Sequence, residues 1–428
     1  MTASAGAPGP AADELRELLV FIVRAGSALS AAGNPVFSVQ ERLTRVAHAY
    51  GARHAVISAF PTFLIVTMGS GEPATVELTS VTVAPRLDQI AGLDHLIREA
   101  ESGRVSPAEG LRRLDAIYEM RPRFGRLQSI AGYSVLTLGL CLILQPSGPD
   151  VAAAALLGAF VGWLRSVAGH QPPVQALMPL IAAFTVSALS ALAIRHDVLD
   201  LGLGAMVAAL VVFLPGSTLT TAVLELAEGQ AVSGSSRLVA GAMQLALLAF
   251  GIIAGIQAVG VSARAVFSGS SAVLGEWAPW LGVLVFAMGV VVANSAPPRA
   301  FPGMLLVLYA AWIGQVAGNV IFGGYVSAFV GALVMTPVAA WVARLPSAMP
   351  RYALFLPGFW LLVPGALGLI GLTQVAGDSR AAGTQDLVAT VVSLFAVAVG
   401  ILCGTLLLDG VSATRRYVYE IRPRRPRP

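Results

Sequence analysis

The chain has 428 residues, of which 56% are apolar and only 12% charged, with a mean hydropathy of +0.77 and a formal net charge of +4. Soluble domains carry about 25% charged residues, so this composition excludes an ordinary soluble enzyme, a disordered chain and a nucleic-acid binder. Two cysteines, both in apolar runs, exclude a disulfide scaffold, a Cys-rich zinc site and a Cys-ligated iron–sulfur cluster.

The charge is unevenly placed. Residues 1–126 hold 13 Arg and 13 acids, residues 127–414 hold 8 Arg and 9 acids, and the tail from Arg415 holds six Arg and one Glu. The expected domains are a small-residue disordered tail over 1–12, a soluble head over 13–126, a membrane body, and a basic tail over 413–428. No signal peptide is expected, because Leu18–Val23 is too short an apolar run and Arg24 follows it.

In the head, apolar residues recur at helical spacing from Leu15 to Leu29, and Gly33-Asn34-Pro35 interrupts them. A second helix is predicted over about Val36–Tyr50, with Gly51 as its C-cap. The period then drops towards two. Ala55–Phe60, Phe63–Met68 and Thr75–Val83 read as strands, with a hairpin turn at Gly69–Glu72. Helices over about Leu87–Ser102 and Pro107–Glu119 follow, the latter opened by a capping box, Ser106-Pro107-Ala108-Glu109. The head is thus an α+β domain. His48, His54 and His95 show no metal-ligand spacing, and no phosphate loop or nucleophile elbow is present.

Ten apolar segments follow: Leu127–Gln145, Val151–Val167, Ala176–Ile194, Val198–Leu214, Leu238–Val259, Trp277–Ala293, Phe301–Gly318, Val320–Val342, Tyr352–Leu372 and Leu387–Leu408. Each approaches the roughly 20 residues needed to cross a bilayer. With the head inside, the inner loops carry most of the Arg residues, including Arg165, Arg237, Arg299, Arg344 and Arg351, while the outer loops carry only Arg195, Arg264 and Arg380. Both termini are then expected in the cytoplasm.

An internal repeat stands at an offset of 149 residues. Pro215-Gly216 matches Pro364-Gly365, Gly234 matches Gly383, Gly251-Ile252 matches Gly400-Ile401, and Gly255 matches Gly404. Five spans per copy make the second copy inverted, as in many secondary transporters. The expected fold class is therefore an all-α polytopic membrane protein of about ten helices. It has two inverted five-helix repeats, over 127–260 and 276–412, behind an N-terminal cytoplasmic α+β domain.

The stretch from Leu214 to Gly229 is the most informative. Pro215-Gly216 ends the fourth span, and Thr218, Thr220 and Thr221 can satisfy the backbone groups it frees. Glu225 and Glu228 stand three apart, on one helix face. Two carboxylates beside a helix break suggest a proton or ammonium site; the alternative is an amphipathic helix at the inner surface with both in water. Arg237 lies beyond an expected break over 229–236. Gln244, Asn294, and Gln315 with Asn319 at i,i+4 are further polar candidates, each equally readable as interhelical glue. Pro364 and Gly365 complete the candidate pathway. No Walker A, H-E-x-x-H or G-x-S-x-G motif occurs, so no enzyme, cofactor or metal site is expected.

The chain resembles the bacterial threonine/serine exporter family. In the head the resemblance rests on Ala25-Gly26-x-x-Leu29-x-x-x-Gly33, Val39-x-Glu41-x-Leu43, and Leu96-x-x-Glu99-x-x-x-Gly103. In the body it rests on Pro215-Gly216-x-x-Leu219-Thr220 and Glu225-Leu226-x-x-Gly229-x-x-x-Ser233-Gly234-x-x-Arg237, then Pro297-x-Arg299 and Leu361-Leu-Val-Pro-Gly365. It implies a cytoplasmic head, ten spans in the inner membrane, and export of threonine and serine driven by protons. Some split relatives export succinate, so dicarboxylate efflux is the close alternative. A membrane-anchored enzyme or signalling head is the distant one. Expected partners are the solute, protons and the lipid bilayer, with no nucleic acid; homo-oligomer formation is left open.

Overall fold

The computed structural model describes residues 12–68, 75–80, 85–144, 146–168, 172–196, 203–262, 274–345, 348–362, 369–374 and 380–421. At its N-terminus, α1 (Ala12–Ala31), α2 (Val36–Ala49), α3 (Leu87–Glu101) and α4 (Pro107–Glu119) accompany an antiparallel sheet, β1 (Val56–Ala59), β2 (Phe63–Met68) and β3 (Thr75–Ser80), in that order. Val56 pairs with Thr67 and Phe63 with Ser80. The two-residue period of β2 buries Leu64, Val66 and Met68 against Phe21, Ile22 and Leu43. The Gly69–Glu72 turn lies outside the described residues.

At the start of α4 the Glu109 amide donates to Ser106 Oγ at 3.3 Å, as the cap sequence predicts. The Glu109 carboxylate does not return to the cap. It pairs with Arg112 and Arg113 instead, since two guanidiniums outbid one backbone N–H.

The rest is a mostly helical, multi-pass membrane body. It comprises α5 (Arg126–Ile143), α6 (Gly148–Ala168), α7 (Pro172–Arg195), α8 (Leu203–Ala209), α9 (Gly216–Ala227), α10 (Ala231–Val259), α11 (Ala278–Ala293), α12 (Phe301–Phe322), α13 (Gly324–Val342), α14 (Arg351–Leu362) and α15 (Arg380–Ile421). Among the described residues, six helices are long and apolar enough to cross a membrane, and Val211–Ala227, Ala278–Ala293 and Val326–Val342 are shorter apolar helices.

The fourth expected span, Val198–Leu214, is not one uninterrupted helix. It consists of α8 and a 3-10 turn, Val211–Phe213, and the helix resumes as α9 after Pro215. Proline supplies no N–H to the ladder. The Phe213 carbonyl beside the break accepts a hydrogen bond from Gln244 Nε2 of α10 at 2.6 Å. Nor is α9 a surface helix, for Leu219 through Glu225 are all buried. The break expected over 229–236 shrinks to a tight turn in which Gly229 takes φ +76°, and Arg237 stands inside α10.

Close helix packing relies on glycines. α7 and α10 run parallel, and a Cβ on Gly251 would lie 2.8 Å from Leu180 O and from Ala183 Cβ. α13 and α15 do the same: a Cβ on Gly400 would lie 2.5 Å from Phe329 O and 2.9 Å from Ala332 Cβ. α5 and α11 cross antiparallel in a reciprocal way. Gly132 and Gly139 of α5 face Ala293 and Phe286, while Gly282 and Gly289 of α11 face Ile143 and Leu136.

The head rests on the body at loops expected on a single side of the membrane. The Val36 amide reaches Glu225 and the Leu87 amide reaches Asn294 O at 3.3 Å. Leu29 and Asn34 meet Pro350 and Ala353 around a small void.

Candidate functional site

The Gly33-Asn34-Pro35 interruption folds into a turn pressed against α9. Gly33 takes φ +83°, which glycine adopts without strain, and the Asn34 side chain donates to Leu29 O at 2.8 Å. Pro35, with φ −60° and ψ 145°, sets the start of α2. The first N–H groups of a helix have no partner within it. The first of α2, from Val36, donates to Glu225 Oε1 at 3.0 Å.

Glu225 is 0% exposed. Arg237 Nε lies 3.2 Å from its Oε1 and 3.1 Å from its Oε2. An ionised carboxylate taken from water needs such compensation. Here it comes from the guanidinium, the Val36 amide and the positive end of α2. Arg237 is itself only 13% exposed, and its Nη2 is buried without a hydrogen-bond partner among the described residues. Thr220 Oγ1 on α9 is in the same condition.

Beside this pair lies a cavity of about 140 Å3, walled by the head turn, α9, Arg237 of α10, α14 and the middle of α15. Ser217, Thr218 and Thr221 supply hydroxyls, and Arg351 and Arg237 supply cations. It is small against the roughly 300–1,000 Å3 of drug-sized sites, so it suits a small metabolite. A buried carboxylate next to an unfilled guanidinium edge can receive an ammonium group and a carboxylate together.

The structure divides the sequence-predicted residues. Pro215, Gly216, Thr218, Thr220, Thr221, Glu225, Arg237 and Gln244 gather around the break and the cavity. Glu225 and Glu228 do not act alike: Glu228 caps α9 and is exposed at the cavity rim, because α9 ends one residue before it. Asn294 ends α11, donating to Val290 O and meeting the head at Leu87. Gln315 sits where α12 packs on α13, its Oε1 buried without a partner among the described residues, and Asn319 is exposed; neither lines the cavity. Pro364 and Gly365 lie outside the described residues. Among those residues, no three His, Cys, Asp or Glu gather closely enough to hold a metal.

Sequence reasoning missed two contributors, the Val36 amide and Arg351 with its neighbour Tyr352. A backbone N–H carries no residue-type signal. Arg351 read as a loop charge. The hint was that Gly33 of this turn and the Glu225 motif both belong to the family resemblance.

Residues 20–259 match a family model described as "Putative threonine/serine exporter". The match takes in most of the head and ends at the last residue of α10. No curated protein matches the chain, and no solved structure does. The match spans more than half of the 428 residues, and the chain belongs to the threonine/serine exporter family.

Proposed function

We propose that the protein is a secondary exporter of small hydrophilic amino acids, threonine and serine, coupled to protons across the bacterial inner membrane. The observation that carries this reading is the buried Glu225–Arg237 pair beside a helix break, with Arg237 at the wall of a small cavity that Ser217, Thr218 and Thr221 also line. Intramembrane ionisable residues mark solute or proton paths. Glu225 takes the solute ammonium or the coupling proton, and the spare Arg237 Nη2 takes the carboxylate.

The body in this reading has ten spans in two inverted units, over 127–260 and 276–412, with the head over 13–126 and both termini in the cytoplasm. Its support is geometric. The glycine contacts of α10 on α7 recur 149 residues later between α15 and α13, and the α5–α11 crossing is reciprocal, as a two-fold relation requires. The first turns of α10 share the cavity with Ile401, Leu402 and Thr405, near the middle of α15.

The cavity also favours a second substrate class. Two arginines, Arg237 and Arg351, line it, and they suit a succinate-type dicarboxylate. Solute counterflow in proteoliposomes, with threonine, serine and succinate in separate arms, tests both. Threonine and serine exchange that responds to a pH gradient supports the first reading. Succinate exchange alone transfers the assignment to dicarboxylates, and no exchange in any arm ends it.

A further inference from the structure

The register that joins Glu225 to Arg237 is repeated in the second half, where different residues occupy it. In the first half α9 packs antiparallel on the opening turns of α10: a Cβ on Gly234 would lie 2.7 Å from Ala222 O and 2.6 Å from the Leu226 side chain. In the second half the helical residues 369–374 pack on the opening turns of α15. Gly371 stands 149 positions after Ala222, and a Cβ on it would lie 2.9 Å from Gly383 O, 2.9 Å from Asp386 Cβ and 2.8 Å from the Leu387 amide nitrogen. The same shift carries Glu225 to Gln374 and Arg237 to Asp386.

Gln374 Oε1 is buried and accepts no hydrogen bond from the described residues. Asp386 is half-buried on the neighbouring turn, and its backbone carbonyl is occupied by the Thr390 hydroxyl. A buried amide oxygen without a donor is destabilising and favours a ligand that can donate to it. It stands one helix away from a carboxylate, in an apolar setting of Leu369, Ile370 and Leu387. The charge arrangement is the reverse of the first half, since an acid now occupies the guanidinium position.

The two pairs lie at opposite ends of the body. Arg237, in the second turn of α10, shares a cavity with Thr405 of α15. Asp386 stands about five turns before Thr405 on that same helix, about 28 Å away at 1.5 Å per residue. This is close to the roughly 30 Å of a hydrocarbon core.

We propose that Gln374 and Asp386 form a second solute subsite at the far end of the path, an acceptor pair for the ammonium group of the amino acid. It rests on the exporter reading above. A solute released by Glu225 on the head side meets Asp386 and the Gln374 amide oxygen at the exit, where no cation among the described residues competes for them.

The test is threonine counterflow on the full chain in proteoliposomes of known orientation, measured from each side. Asp386→Asn is expected to raise the half-saturating threonine concentration at least tenfold from the side away from the head, and less than twofold from the head side. Gln374→Leu should shift the same side by a smaller factor. Equal values on both sides for Asp386→Asn overturn the subsite while leaving the exporter reading intact. Wild-type protein that moves no threonine overturns both. A folding failure in Asp386→Asn is bypassed by Asp386→Cys in a chain carrying Cys141→Ala and Cys403→Ala. Threonine, supplied at well over ten times the wild-type half-saturating concentration to offset the lost carboxylate, should slow its modification by a membrane-impermeant thiol reagent added on the far side. Modification that threonine leaves unchanged also overturns the proposal.

Discussion

The α7–α10 and α13–α15 contacts keep the same glycine packing, while the polar residues near them differ in chemistry. Gly251 and Gly255 of α10 meet Leu180, Ala183 and Ser187 of α7, and Gly400 and Gly404 of α15 meet Phe329, Ala332 and Thr336 of α13 at the same spacing. The polar residues do not follow. Thr220 and Thr221 give way to Leu369 and Ile370, Glu225 to Gln374, and Arg237 to Asp386. In lipid, helix association depends on close backbone approach through small residues, so the glycines are constrained wherever the packing is kept. A buried ion pair is under no such constraint, because desolvation offsets much of its Coulomb energy. What differs between the halves is therefore where solute chemistry is to be sought.

The largest effect is expected where the halves differ most. Glu225→Gln should leave a protein that inserts, but one in which Arg237 has lost its counter-charge, at a cost of roughly 3–5 kcal/mol for breaking a buried pair. Efflux driven by a pH gradient should vanish, while solute exchange persists in part. Glu228→Gln should be mild, because that carboxylate is exposed at the rim. Wild-type rate and pH dependence in Glu225→Gln, measured by proteoliposome efflux, would make the pair a structural feature only and erase the contrast between the halves.

The head covers the first-half pair, and its grip can be removed with one substitution. Val36→Pro deletes the N–H that holds Glu225 Oε1. The site tolerates it: Pro35 already has ψ 145°, the extended geometry a residue before proline adopts, and proline is at home in the first helical position. A hydrogen bond to a charged group is worth about 1.5–3 kcal/mol. In the exporter reading proposed above, the Val36 amide and the solute ammonium use the same Glu225 oxygen, so its loss should tighten threonine binding from the head side about tenfold, or about 1.4 kcal/mol. Binding measured by calorimetry or counterflow that stays unchanged would show that the head does not contend with the solute.

Packing equality is tested by matched substitutions. Gly251→Ala and Gly400→Ala each push a methyl to within 3 Å of a backbone carbonyl on the neighbouring helix. Overpacking of this kind costs about 1–3 kcal/mol. Both variants should lower the melting temperature in detergent by similar amounts, and a large loss in one with none in the other would break the correspondence.

Much of the fold was legible. The alternation in Phe63–Met68, the Ser106-Pro107 cap and the long apolar runs of α7, α10 and α12 each follow from a single local rule, and the structure keeps them. The site was legible in its residues and not in its contacts. The Leu214–Gly229 stretch announced a break with carboxylates, but helical spacing placed Glu225 and Glu228 on one face as equals. Only the tight turn at Gly229, which ends α9 before Glu228 and folds α10 back, buries the first and exposes the second. The Val36 amide was invisible because it is backbone brought from 189 residues away. Gln315 and Asn319 looked like a pathway pair, yet their helix faces α13 rather than the cavity.

The smallest expected effect contrasts the buried pair with one in water. Arg24 of α1 and Asp115 of α4 form an ion pair with side chains 42% and 55% exposed. The hydrogen bond from Arg24 holds the Asp115 carboxyl below its ordinary value. A carboxyl depressed in the folded state adds stability that is fully present above its unfolded value, and that stability is lost as pH falls through the folded one. The α1–α4 contact should therefore weaken only in acid, below about pH 4, and high salt should weaken it further. Amide hydrogen exchange in α4 of the full-length protein reads this directly. Asp115→Asn should match wild type in acid and exchange slightly faster at neutral pH. Equal exchange at both pH values would mean that the exposed pair contributes nothing, as many surface pairs do.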